Sequence, residues 1–132
     1  ACIYDPVNKI AGMVHYMLPD STRIINNQNI AKFGDTGIAE TVRRMEELGA
    51  KRQFMVAKIA GGAKMFAIRA ESNLSNLNVG DNNIESAKIH LAALGIKLIA
   101  EDTGLNYGRT IEFFAEDGSL KIKSVGREPK FI

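Results

Sequence analysis

A thiol and an imidazole near the start of the chain are the first residues able to do covalent chemistry. Cys2 stands in the short β-prone run Ala1-Cys2-Ile3-Tyr4, and His15 interrupts an apolar run from Ile10 to Leu18. Between them, Asp5-Pro6-Val7-Asn8-Lys9 carries turn chemistry, which puts the two residues on neighbouring arms of a predicted β-hairpin. With both on one face, their side chains come within diagonal cross-strand reach. In such a pair the imidazole takes the thiol proton, the thiolate attacks a carbonyl carbon, and backbone N–H groups stabilise the oxyanion. Each residue also has a plainer role. A lone cysteine in an apolar strand is more often an inert buried hydrophobe, and a histidine among apolar neighbours can be a hydrogen-bonded core residue.

Gly61-Gly62 follows a continuous apolar run and allows close backbone approach to a ligand, positive φ and unscreened N–H groups; a plain turn would use the same residues. Neither the Gly-Lys-Ser/Thr ending of a phosphate loop nor the three-glycine dinucleotide pattern is present. Gly104 and Gly108 flank a loop closing on Arg109, whose guanidinium suits either a bound carboxylate or an internal salt bridge. His90 falls on a predicted helix between Ile89 and Leu91, where a surface or packing role is expected. The single cysteine and the two histidines stand in no metal-ligand spacing, so neither a metal nor another cofactor is expected.

The elements that must hold these residues are legible from periodicity. Ile38, Val42, Met45 and Leu48 recur at helical steps behind a cap at Asp35 or Thr36, and Gly49 ends that helix. Phe54 to Ala60 reads as a strand buried on both faces. Asn82 or Asn83 caps a second helix carrying Ile84, Ala87, Leu91 and Leu94. Strands follow at Ile96 to Ala100, Thr110 to Ala115 and Leu120 to Val125, the last two joined by the turn Glu116-Asp117-Gly118-Ser119. Pro19 to Gly34 reads as a long surface loop. Tight turns between adjacent strands exclude a purely parallel sheet, so the expected class is α+β, a layered sandwich of mixed and antiparallel sheets with two main helices.

Composition narrows the function classes. The chain has 132 residues, 45% of them hydrophobic, which is enough for one core without disulfides. Seventeen basic against fifteen acidic residues, a net charge of +2, does not make the concentrated positive field of a nucleic-acid binder. Apolar stretches are interrupted well before the roughly 20 residues of a bilayer crossing, so no membrane insertion is expected. Cysteine usage fits a reducing, cytoplasmic setting. One domain over residues 1–132 is expected, and the opening at Ala1, without methionine and directly into an apolar run, suggests that an N-terminal segment precedes it.

At His15 the sequence becomes specific. Gly12-Met13-Val14-His15-Tyr16-Met17-Leu18-Pro19-Asp20-Ser21 resembles the histidine motif of the CheD family of chemoreceptor glutamine deamidases. Lys58-Ile59-Ala60-Gly61-Gly62-Ala63-Lys64-Met65-Phe66 is similar to the family's glycine motif, and Asn78-Val79-Gly80-Asp81-Asn82-Asn83 to its Asn-Ile-Gly segment. Glu101-Asp102-Thr103-Gly104 with Gly108-Arg109 follows its late loop. Two positions depart from the pattern: Asn82 stands where arginine is usual, and Leu105 where a second glycine often follows Gly104.

The resemblance implies a Cys/His hydrolase of the fold shared with bacterial toxin deamidases. It converts receptor glutamine to glutamate through a thioester, with His15 as base and then acid. The family reads Gly-Ser-Cys, three residues, and often a second cysteine before an Asp-Pro turn. Cys2 matches that second cysteine, which places the nucleophile three positions ahead of Ala1, together with a threonine that orients the histidine; Cys2 is the fallback nucleophile. Ser21, Gly61, Gly62 and Arg109 are the candidates for substrate contact. The implied partners are methyl-accepting chemotaxis receptors and the CheC phosphatase. A competing reading is a non-catalytic module that docks on either of them to regulate chemotaxis.

Overall fold

The computed structural model describes residues 1–22, 29–64 and 78–132. The predicted hairpin forms from β1 (Cys2–Asp5) and β2 (Ile10–Met13), antiparallel, with Cys2 opposite Met13 and Asp5 opposite Ile10. Its turn is organised by a carboxylate. Asp5 is fully buried and accepts hydrogen bonds from the backbone N–H groups of Val7 (2.9 Å) and Asn8 (3.0 Å), from Asn8 Nδ2 (2.7 Å) and from the Lys51 N–H (2.7 Å). Burial pushes its acidity down, but these four donors outweigh that and hold its pKa at about 2.

β1 is one of the two interior strands of the first sheet. Its other edge pairs antiparallel with β3 (Val56–Gly61), which runs parallel to β4 (Lys97–Thr103), giving the order β2-β1-β3-β4. Two helices supply the connections, α1 (Gly34–Glu47) between β2 and β3 and α2 (Val79–Ala93) between β3 and β4. A second, antiparallel sheet is made of β5 (Thr110–Phe113), β6 (Leu120–Lys123) and β7 (Lys130–Phe131).

Side-chain alternation along the strands assigns the layers. Ile3, Ala57 and Ile59 pack with Ile38, Val42 and Met45 of α1 and with Ala87 and Leu91 of α2. On the opposite face, Cys2 packs with Leu120 and Ile122 of β6, with Ala60, Ile111 and Phe113 around them. Helices, first sheet and second sheet thus form three layers, and the expected α+β sandwich with two main helices is what the chain adopts. α1 lies close over β2 because Gly12 has no side chain; a Cβ there would fall 2.6 Å from Met45 Sδ.

Several boundaries differ from the sequence reading, each for a tertiary reason. α1 starts at Gly34 with Phe33 as N-cap, and no side chain caps it. Asp35 instead lies in the first turn and binds Ser21. α2 starts at Val79 with Asn78 before it, a turn ahead of the expected cap at Asn82 or Asn83. That extra turn lets Gly80 meet Gly62 backbone to backbone, where a Cβ on Gly80 would lie 2.4 Å from the Gly62 oxygen. The strand expected from Phe54 begins at Val56, after a 3₁₀ turn over Arg52–Phe54, and β4 continues to Thr103, past its expected end at Ala100. β7, two residues long, is too short to leave a pattern. The loop expected over 19–34 contains a 3₁₀ turn at Ile30–Lys32, while its residues 23–28, like Met65 and Phe66 of the glycine motif, lie outside the described residues.

Candidate active site

His15 lies two residues past the end of β2 and is exposed. Before it, Val14 is buried in the helix-side core and exchanges two backbone hydrogen bonds with Ala1, at 2.9 and 2.8 Å. After it, the backbone is tied to α2 and to the segment ahead of α1. Tyr16 Oη donates to the Asn83 carbonyl (2.6 Å), Asn83 Nδ2 donates to the Met17 carbonyl (3.0 Å), and Ser86 Oγ donates to the Pro19 carbonyl (2.8 Å). The N–H groups of Met17 and Leu18 both donate to Lys32 O, at 2.9 and 3.1 Å. Burial lifts the Tyr16 phenol to about 12, so it stays protonated and remains a donor at every physiological pH. The imidazole of His15 makes no hydrogen bond among the described residues, which leaves both ring nitrogens open to a reacting group.

Asn83 is an uneconomical residue for stability. Its Oδ1 is buried without a hydrogen-bond donor among the described residues. An orphaned buried acceptor costs about 1–3 kcal/mol, whereas the bond its amide makes returns about 1 kcal/mol.

Cys2 has the opposite surroundings to His15. Only 1% exposed, it lies between the two sheets and borders a cavity of about 220 Å³ with Tyr4, Lys58 and Phe113. Burial raises the thiol pKa, against the weaker opposing pull of Lys58, so the neutral thiol predominates. Cys2 pairs with Met13, two residues before His15, and no hydrogen bond joins Cys2 to His15.

Gly61 and Gly62 take φ of +116° and +66° at the end of β3. The Gly61 carbonyl accepts from the Gly104 N–H (2.8 Å), and the Lys64 N–H donates to Leu105 O (2.7 Å), so the glycine loop and the late loop are joined. A Cβ on Gly61 would meet nothing within 4 Å, whereas one on Gly62 would strike Ile84 at 2.6 Å. Gly61 therefore has an open side and Gly62 a packed one.

Arg109 is turned inward, its side chain 2% exposed. Nη2 donates to Asp102 Oδ1 (3.0 Å), and Nη1 donates to the carbonyls of Gly104 (3.0 Å) and Tyr107 (3.2 Å). Of the two roles open in the sequence, the geometry gives it the salt bridge. Burial pushes the Asp102 carboxyl up, but hydrogen bonds from Arg109 and Lys130 hold it below the usual range.

Ser21 binds Asp35 through both its hydroxyl (2.6 Å) and its N–H. Asp35 lines a cleft of about 560 Å³ between the 18–22 segment and the two helices, with Leu18, Pro19, Ser86, Ile89 and His90 in its walls. Burial opposes ionisation of Asp35, yet the Ser21 bonds and the nearby His90 imidazole keep its pKa low. A cleft histidine facing Asp35 went unseen in the sequence, where 55 residues separate the two without any shared motif.

Comparison with known proteins places these features in a family. The CheD chemotactic sensory transduction family matches residues 17–124. A protein of Lachnoclostridium phytofermentans, called a probable chemoreceptor glutamine deamidase CheD, is 60% identical over 130 residues, covering 98% of this chain and 80% of that protein. A probable deamidase of the same name from Caldanaerobacter subterraneus is 47% identical over 98% of this chain and 79% of its own length. The chemoreceptor glutamine deamidase CheD of Thermotoga maritima is 42% identical over 95% of this chain and 74% of its own.

Proposed function

This chain belongs to the CheD family, and on that premise we propose that it is a chemoreceptor glutamine deamidase in which His15 is the general base. It hydrolyses the side-chain amide of receptor glutamine to glutamate and releases ammonia. The observation that carries the assignment of His15 is an exposed imidazole, free of internal hydrogen bonds, on a backbone fixed on both sides.

The nucleophile in this reading is a cysteine three positions ahead of Ala1, as the family pattern implies. The β1–β2 register supports that choice: a residue immediately ahead of Ala1 would fall opposite His15, and one two residues further would be its diagonal neighbour if the pairing continued. Cys2, sealed and neutral, suits packing better than attack. His15 takes the thiol proton, and sulfur bonds to the glutamine Cδ. The tetrahedral intermediate collapses with loss of ammonia, which carries the proton from the imidazolium, and leaves a thioester. Water then adds to the thioester, giving a proton to His15, and the C–S bond breaks to release glutamate and the thiol.

Gly61 and Gly62 are assigned as backbone donors to the oxyanion, supported by their positive φ and by the open side of Gly61. Ser21 contributes to the substrate cleft through its bond to Asp35. Arg109 shapes the late loop from inside. The receptor is the substrate and the CheC phosphatase a second partner. A cytoplasmic location follows from a receptor substrate on that side of the membrane, and no helix among the described residues is long and apolar enough to cross one.

The test is chemical. Full-length protein is incubated with a receptor cytoplasmic domain, and ammonia release is followed alongside Gln-to-Glu conversion by mass spectrometry. Conversion that persists in His15→Ala removes His15 from the role of base.

A further inference from the structure

We propose that Tyr16 and Asn83 form a reciprocal clamp that fixes the backbone carrying the His15 imidazole, making both of them positioning residues for the deamidation; this rests on the reading of His15 as the base. The clamp is a closed loop of two hydrogen bonds. The Tyr16 side chain reaches the Asn83 backbone carbonyl at 2.6 Å, and the Asn83 side chain reaches back to the Met17 carbonyl at 3.0 Å. On the other side of His15, Val14 is held by its paired bonds to Ala1. His15 is therefore the one residue between two fixed neighbours, which set where its ring starts from; the orienting threonine that the family pattern implies ahead of Ala1 then has a fixed ring to meet.

Two further observations separate a positioning role from ordinary packing. Asn83 leaves its own Oδ1 buried and unpaired among the described residues, so the residue is poorly suited to stabilisation and its amide's hold on Met17 is what remains to be served. The phenol of Tyr16 is kept protonated by burial, so its donor survives over the whole working pH range. A general base acts only when its ring nitrogen lies within hydrogen-bond reach of the proton it takes. A displacement of about 1 Å at such a site lowers the rate by about a hundredfold.

The experiment compares full-length wild type, Asn83→Ala, Tyr16→Phe and the double variant, using receptor deamidation kinetics, thermal melting and ¹⁵N relaxation of the His15, Tyr16 and Met17 amides. The clamp predicts kcat reduced by about 10- to 100-fold in each single variant, with KM and melting temperature close to wild type. It also predicts a double variant no slower than the worse single one and new mobility confined to residues 15–17. An unchanged kcat in both single variants, beside an inactive His15→Ala, overturns the clamp and leaves the deamidase reading intact. Loss of activity that tracks loss of folded protein also overturns it. Should wild type itself fail to deamidate receptor, the deamidase reading falls, and unaltered relaxation at residues 15–17 in Asn83→Ala then removes the clamp as well.

Discussion

Cys2 and His15 lie almost opposite each other on the hairpin, yet one is sealed between two sheets and the other stands in solvent. Loss of a positioned acid–base group costs about 10²- to 10⁴-fold. His15→Ala is therefore expected to lower deamidation by that factor with little change in melting temperature, as measured by ammonia release and calorimetry. Cys2→Ala is expected to do the reverse, losing about 1 kcal/mol of stability in urea titration while keeping near-normal activity. Asp5 makes a pH prediction. Its folded-state pKa, about 2, lies below the ordinary 3.8, so its contribution of about 2 kcal/mol is fully present above pH 3.8 and is lost as pH falls through about 2. Urea midpoints measured between pH 5 and pH 2 should drop for wild type and stay flatter for Asp5→Asn. At this scale the sequence put a thiol and an imidazole near one hairpin, and the register sets Cys2 opposite Met13, two residues before His15. The sequence did not show which was reachable, because the burial of Cys2 comes from β6, over a hundred residues away.

The elements were legible where their pattern is local and obscure where a distant partner sets them. The stripe Ile38, Val42 and Met45 gave α1 its core face, and all three residues are buried there, whereas Leu48, read as part of the same stripe, caps the helix end and is 73% exposed. The start of α2 was misplaced by a turn because Gly80, a poor helix former, is kept for its approach to Gly62, and no local rule announces that contact. The same contact predicts the outcome of substitution. Gly62→Ala places a Cβ 2.6 Å from Ile84 and 2.8 Å from the Gly80 oxygen, at a φ of +66°. The expected cost is about 2–4 kcal/mol, seen as a fall of about 10 °C in Tm. Gly61→Ala meets none of the described atoms, but its φ of +116° is one that side-chain-bearing residues rarely adopt, so it too is expected to be destabilising. The cleft between the helices was illegible for a related reason: Asp35 and His90 meet only because α1 and α2 pack side by side.

For the whole molecule, the layering was readable from the alternation of tight turns and helical stripes, whereas the order β2-β1-β3-β4 was not, since it depends on which long connection returns to which edge. Three layers with Cys2 between the sheets give the thiol a reporting role. In the full-length protein an activated nucleophile should be alkylated at once by iodoacetamide at neutral pH. Cys2 should react only at the rate of global opening, and peptide mapping distinguishes the two. Fast labelling of Cys2 would show that the sheets separate locally. The ties beyond His15 have a consequence of their own. Tyr16 to Asn83, Asn83 to Met17 and Ser86 to Pro19 join positions 66 or 67 residues apart. If His15 is the base, a chain still being translated has no aimed imidazole until α2 has left the ribosome and docked, so hydrolytic competence arises only after that point and nearby glutamines are spared until then.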